Sequence, residues 1–249
     1  MIATLALAFA AQSYSGGTAL MIHGAGGGGW EYDLWKPVFE QRGWRVVAID
    51  LVPSEKGLAE TTIDDYVKQV ENWPGADKKP LVIVGASMGG PIALRAAVKL
   101  NPQAMILINP APPKGFPRRE STEPIPDVVK WANGPVEDTR TAMPDSDERT
   151  ILWAWKKWRD ESGKVMTALR DGVDVQRPTC PLLVIVSQKD TDVSPDTSMR
   201  VARTYTGDVL WYEGMSHVGP LMSTRANEVA TAAEDWANRR TSRWRRARP

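Results

Sequence analysis

The chain is poor in residues that cross-link, chelate or titrate near neutrality. Its 249 residues include one cysteine, Cys180, and two histidines, His23 and His217. A single cysteine excludes a disulfide within the chain and any zinc site built from cysteines. Cys180 lies between Pro178 and Pro181, just before an apolar run, and reads as a small buried hydrophobe. Two histidines leave two imidazoles for proton transfer. Phenylalanine is scarce at three, while tryptophan reaches 11. Many of the tryptophans fall in the middle third.

A dominant charge is missing too. Against 31 Lys and Arg stand 30 Asp and Glu, a net charge of +1, so no overall field favours a nucleic-acid partner. Basic residues gather only at the end, in RRTSRWRRARP, with Arg239, Arg240, Arg243, Arg245, Arg246 and Arg248. Residues 241–249 read as a solvated basic tail. The N-terminal apolar run, MIATLALAFAAQS, is too short to span a bilayer, so no stable membrane insertion is expected of it. It ends in Ala8-Phe9-Ala10, the small-residue pattern of an export signal, yet no lysine or arginine precedes it. Residues 1–12 are therefore either a signal segment of an exported protein or an apolar segment packed on a cytoplasmic one. The composition, 42% hydrophobic and 24% charged, is that of a soluble globular chain. The length suits one large domain or one domain with an insertion.

Apolar strands alternate with helices along the chain. TALMIH (18–23), WRVVAID (44–50), PLVIVGA (80–86), AMILINPA (104–111), PLLVIVS (181–187) and DVLWYE (208–213) read as strands. Apolar spacing predicts helices over 31–42, 61–73, 88–100, 195–205 and 223–239, with Thr61 or Thr62 capping the second. Continuous apolar strands between helices imply an α/β fold, a parallel sheet covered on both faces. Residues 13–111 and 177–240 would form this core. Residues 112–176 break the alternation, first with a polar, proline-rich stretch and then with a helical pattern over 148–170. They read as an insertion between two strands.

Two glycine-rich stretches carry the chemical signals. HGAGGGGW (23–30) has Gly24, Gly26 and Gly29 in G-x-G-x-x-G spacing, and Asp50 follows about twenty residues on, as a dinucleotide fingerprint requires. GASMGG (85–90) places Gly85-x-Ser87-x-Gly89 where a buried strand meets a helix. That pattern lifts a serine on a tight, strained turn at the end of a sheet. The helix that follows points its N-terminus at the site, where N–H groups can stabilise an anion. A serine hydroxyl needs a base, and a base needs an orienting carboxylate. His217 follows a strand in EGMSHVGP, and Asp190 and Asp192 follow another in SQKDTDVSP. Ser87, these aspartates and His217 all come just after strand ends, where an open parallel sheet places its ligand site.

These stretches together resemble the α/β-hydrolases of the serine esterase kind. HGAGGGGWEYDLWKPVFEQRGWRVVAIDL is similar to the opening of small plant methyl esterases and hydroxynitrile lyases. The resemblance implies an α/β-hydrolase fold, a mostly parallel central sheet with helices on both faces, with 112–176 as a helical lid. It implies Ser87 as nucleophile, His217 as base and Asp190, three before Val193, as its orienting acid. It also implies an oxyanion hole from the N–H groups of Ala25 and Met88. The expected substrate is a small ester with an apolar acyl or alkyl group, and the expected reaction needs no metal or organic cofactor. Trp30, Trp155 and Trp158 would line the substrate pocket, although tryptophans at helical spacing also serve as plain packing. His23 is expected to brace its loop and Asp50 the end of its strand. After Asp50 the chain reads DLVPSEKG instead of the common D-x-x-G-x-G-x-S, which sets it apart from the commonest bacterial branch of these hydrolases. Thioesterase, amidase, lyase and carbon–carbon hydrolase chemistry, a slow-hydrolase receptor and an NAD(P)-binding oxidoreductase are the alternatives.

Overall fold

The computed structural model describes residues 17–116 and 123–246. Segment 1–12, residues 117–122 and the last three residues of the basic tail lie outside the described residues. Six strands form one parallel sheet: β1 (Gly17–Ile22), β2 (Trp44–Val47), β3 (Leu81–Ala86), β4 (Ala104–Ile108), β7 (Leu182–Ser187) and β8 (Asp208–Tyr212). Their spatial order is β2-β1-β3-β4-β7-β8. Every residue of β1, β3, β4 and β7 is buried, as their unbroken apolar sequences require of strands covered on both faces. The edge strand β8 exposes Val209 and Trp211 instead.

Alternate side chains of each strand enter different cores. Leu20, Ile22, Ile83 and Val184 join one cluster with Ile92 and Val201, from helices α3 (Gly89–Leu100) and α7 (Pro195–Tyr205). Ala19, Met21, Val82 and Ile185 join the other, with Phe39 from α1 (Lys36–Gln41) and Val229 from α9 (Ala226–Arg246). Trp35 and Trp44 also enter this second core, fully buried. Each buried Leu, Ile, Val, Met or Phe in these cores contributes about 1.5–3 kcal/mol. Helix α2 (Ile63–Glu71) starts at Thr62, not Thr61. Thr62 accepts the Asp65 N–H, and Asp65 accepts the Thr62 N–H at 2.9 Å, a reciprocal cap.

Three helix boundaries differ from those expected. The 31–42 helix is a 3-10 turn at Gly29–Tyr32 followed by α1. Pro37 stands in the first turn of α1, where a missing N–H costs nothing; one turn later it would break the helix. The 148–170 helix is two, α5 (Glu148–Trp155) and α6 (Gly163–Asp171), with the two-residue strand β6 (Glu161–Ser162) between them. Ser162 caps α6 by accepting the Val165 N–H, a competing backbone bond that periodicity does not register. The last helix, α9, follows the short α8 (Gly219–Met222) and continues to Arg246, into the stretch read as tail. Between β4 and β7 the chain also forms β5 (Val128–Val129), which pairs antiparallel with β6, and α4 (Val136–Ala142).

Sheet order fixes where a ligand can bind. From β1 the chain steps to β2 on one side, then returns to place β3 on the other. The loops after β1 and β3 thus part at a topological switch point, the crevice where open α/β sheets take ligands. HGAGGGGW is the first of those loops and Ser87 opens the second.

Candidate active site

Ser87 follows β3 with φ of 49°, in the left-handed region. A side chain there is strained, and the surrounding bonds must hold it. Its N–H donates to Ile108 O at 2.9 Å, and its carbonyl accepts from Gly90 at 2.9 Å and Ala111 at 3.0 Å. The flanking glycines are a steric necessity. A Cβ on Gly85 would stand 2.3 Å from Gly89 O, and one on Gly89 would stand 2.2 Å from Ile22 O. Met88 lies at the head of α3, where the first N–H groups of a helix have no partner inside it.

His217 sits between β8 and α8. Its Nδ1 lies 2.7 Å from Asp190 Oδ2. The other carboxylate oxygen, Oδ1, accepts the N–H groups of Asp192 at 2.9 Å and Val193 at 2.8 Å. That turn explains the D-x-x-V spacing, because the aspartate closes it with one oxygen and leaves the other for the imidazole. Asp192 makes no bond to His217 among the described residues. Burial of His217 opposes its charged form. The Asp190 hydrogen bond and charge, with Asp192 and Glu31 adding to them, outweigh burial and hold its pKa above the ordinary 6.5. Asn109, at the end of β4, donates to His217 O at 2.7 Å. It is the neighbour of Ile108, which accepts the Ser87 N–H, so β4 ties the serine turn to the histidine loop. Asp145 grips that loop as well. It accepts the Ser216 N–H at 2.9 Å and the Ser216 hydroxyl at 2.6 Å.

In the HGAGGGGW loop, the N–H groups of the three fingerprint glycines already have acceptors. Gly24 donates to Glu31 Oε2 at 3.1 Å, Gly26 to Glu161 Oε2 at 3.2 Å and Gly29 to Asp50 Oδ1 at 2.7 Å. Three carboxylates of the chain thus stand where a dinucleotide loop would receive phosphate oxygens. The Ala25 N–H, by contrast, has no protein acceptor among the described residues. His23 donates from Nδ1 to Gly24 O at 2.7 Å and accepts the Leu51 N–H at Nε2 at 2.9 Å. Burial, aided by the Arg159 charge, pushes its pKa down to about 4, so it braces the loop as a neutral ring.

Residues of the 112–176 stretch close over this loop. Arg159 donates from its backbone to Gly26 O at 2.7 Å and from Nε to Gly27 O at 2.7 Å. Its Nη1 reaches Leu51 O at 3.1 Å and stands 3.6 Å from Asp50. Trp131 lies so close to Gly26 that a Cβ there would meet its ring at 2.2 Å. Trp30 packs edge-on against Trp153 at 5.2 Å and Trp158 at 5.0 Å. Trp155 is not part of that group; its indole N–H donates to Gly134 O at 2.7 Å. Sequence reading passed over Glu31, Asp145, Arg159 and Glu161. Glu31 alone had a local signal, as an acidic residue inside the glycine and aromatic turn. The other three act across more than 70 residues of chain, and no spacing points to them. Cys180 is half-buried, and burial pushes its thiol up to about 11.

The strand order, the serine turn at the switch point and the Asp190–His217 pair define an α/β-hydrolase architecture. The profile of the alpha/beta hydrolase family matches residues 19–233, and the chain belongs to that family. No curated protein matches the sequence. Among solved structures it is similar to a pyrethroid hydrolase from Sphingobium faniae, at 20% identity and a TM-score of 0.70, over 89% of this chain and 97% of that one. A methylesterase from Arabidopsis is similar at 14% identity and a TM-score of 0.65, over 89% and 99%. A monoacylglycerol lipase from Paleococcus ferrophilus is similar at 20% identity and a TM-score of 0.69, over 90% and 95%. At such identities the likeness is one of fold. No described helix is long and apolar enough to cross a membrane.

Proposed function

We propose that the chain is a serine hydrolase that cleaves a small carboxylic ester through an acyl-enzyme. The observation that carries this reading is the pairing of a strained Ser87 at the switch point with the 2.7 Å Asp190–His217 bond. In the first step His217 Nε2 takes the proton from Ser87 Oγ, which attacks the ester carbonyl carbon. Asp190 holds Nδ1–H and stabilises the imidazolium that forms. The N–H groups of Ala25 and Met88 stabilise the oxyanion, each donor worth about 3 kcal/mol. The tetrahedral intermediate collapses, the alkoxide takes the proton from His217, and the alcohol leaves. Water then attacks the acyl-enzyme with His217 as base, and the carboxylic acid is released. No metal or organic cofactor enters these steps.

The 112–176 stretch acts in this reading as a lid, with Trp30, Trp155 and Trp158 lining a pocket for an apolar acyl or alkyl group. A methylesterase among the similar structures supports an ester over a thioester or an amide. The test is a fluorophosphonate probe and a panel of p-nitrophenyl esters, applied to the native protein and to Ser87→Ala. Labelling and turnover that vanish with Ser87 are expected. Turnover or labelling that survives the substitution, or none in the native protein, overturns the proposal.

A further inference from the structure

Several carboxylates are buried in the described structure, and the steps above leave Glu31 and Glu161 unused. Glu161 is fully engaged, accepting from Tyr66 Oη, the Ser162 N–H and the Gly26 N–H. Glu31, only 4% exposed, has one hydrogen bond among the described residues, from the Gly24 N–H to Oε2 at 3.1 Å. Its carboxyl fills the room left by the missing side chain of Gly27, where a Cβ would lie 1.5 Å from Oε1. A Cβ on Gly24 would stand 3.5 Å from Ser87 Cβ and 3.7 and 3.8 Å from the two Glu31 oxygens. The carboxyl and the serine therefore both border the vacant side-chain position of Gly24. The next peptide along carries the Ala25 N–H.

We propose that Glu31 is a positioning residue: its protonated carboxyl holds the Gly24 peptide so that the Ala25 N–H faces the oxyanion, and its ionisation weakens that donor by placing a negative charge beside the developing one. The inference rests on Ser87 being the nucleophile. The charged groups around it are His217, before α8, Arg159, before β6, and Asp50, after β2. Tyr32 lies beside it in the same turn. Burial raises the Glu31 carboxyl to about 7, against the Gly24 bond and the His217 and Arg159 charges, while Asp50 adds to the rise. Its two charge states thus exchange near pH 7, and the charges of Glu31 and His217 act on each other, so the two groups titrate as a pair.

The test is Glu31→Gln, which keeps the volume and the acceptor but cannot ionise. Ester kcat/KM is followed over about pH 5 to 9, the span in which both groups titrate. The native rate should rise as His217 loses its proton, with a fall superimposed on it as Glu31 ionises. The variant should keep the rise and lose the fall, opening a gap of roughly tenfold at the alkaline end. Superimposable profiles overturn the proposal. Melting temperatures of the two proteins are compared over the same range. The variant's advantage should widen as pH rises to about 7 and level off above it, and an advantage that stays flat over the whole range also overturns the proposal. Absence of Ser87-dependent turnover in the native protein would instead remove the reading beneath it, and the melting comparison would still report the Glu31 charge.

Discussion

Asp190→Asn separates the two jobs of Asp190. The asparagine keeps Oδ1, so the N–H groups of Asp192 and Val193 retain their acceptor and the turn survives. It replaces Oδ2, which lies 2.7 Å from His217 Nδ1, with an NH2 group, which donates and cannot accept the Nδ1–H. His217 must then turn its protonated nitrogen toward Ser87 and cannot act as base. The wrong tautomer costs about 10⁴ in kcat in a triad of this kind, or about 5.4 kcal/mol at 1.36 kcal/mol per decade. The pH profile should move as well. Burial works against the imidazolium, and the Asp190 bond and charge are the largest contributions that overcome it. Without them the acidic limb should shift to lower pH. Stability responds with the opposite partner. A histidine held above 6.5 stabilises the fold fully below about pH 6.5, and that contribution is lost as pH rises through its folded value. The variant should therefore lose most stability in acid and little in alkali. Asp192→Asn, which removes only a distant charge, is the control and should stay within about threefold. The assay is p-nitrophenyl acetate turnover across pH, with thermal melts on the same samples. A variant within tenfold of the native enzyme and with an unmoved acidic limb would refute the reasoning, as would a larger loss in Asp192→Asn.

Asp145→Ala strips two acceptors from the loop that carries His217. It leaves the Ser216 N–H unpaired, at about 1–3 kcal/mol. Turnover should fall roughly tenfold to a hundredfold with KM nearly unchanged, since the change misplaces the base and not the substrate; a loss confined to KM would contradict it. Trp155→Ala should slow long-chain esters more than acetate esters if the tryptophans line the substrate pocket, and equal losses on both would assign Trp155 to packing through its bond to Gly134 O.

Much of the core was legible because buried parallel strands write themselves as unbroken apolar runs. LVIVGA and LLVIVS leave no other face to assign. Helix α1, which begins at Lys36 with Pro37 in its first turn, and the pair α5 and α6 were not legible in the same way. There a local bond or a proline overrides the period of the apolar residues, and both signals occupy one position each. Ser87, Asp190 and His217 stood out because each follows a strand and each has a turn with its own residue demands. Asp145, Arg159 and Glu161 did not, because they reach the site from the 112–176 stretch by tertiary contact. A long-range acceptor has no register with the residue it serves.

The glycine loop shows why a fingerprint can match and still mislead. A run of glycines lets N–H groups come close to negative charge, and the sequence states that capacity without saying whose charge it is. Here the spacing of Gly24, Gly26 and Gly29 meets the requirement of a pyrophosphate, and Asp50 meets the requirement of a ribose. The fold brings Asp50 back onto Gly29, Glu31 onto Gly24 and Glu161 onto Gly26. A phosphate at that loop would find the three N–H donors already committed to acidic side chains of the chain itself. The same carboxylates favour another use. They fix the N–H groups of Gly24, Gly26 and Gly29 and leave that of Ala25, between the first two, unspent. A donor held in place before the reaction stabilises a transient oxyanion without reorganising. The dinucleotide reading would need those three acceptors to swing away, whereas the hydrolase reading uses them where they stand.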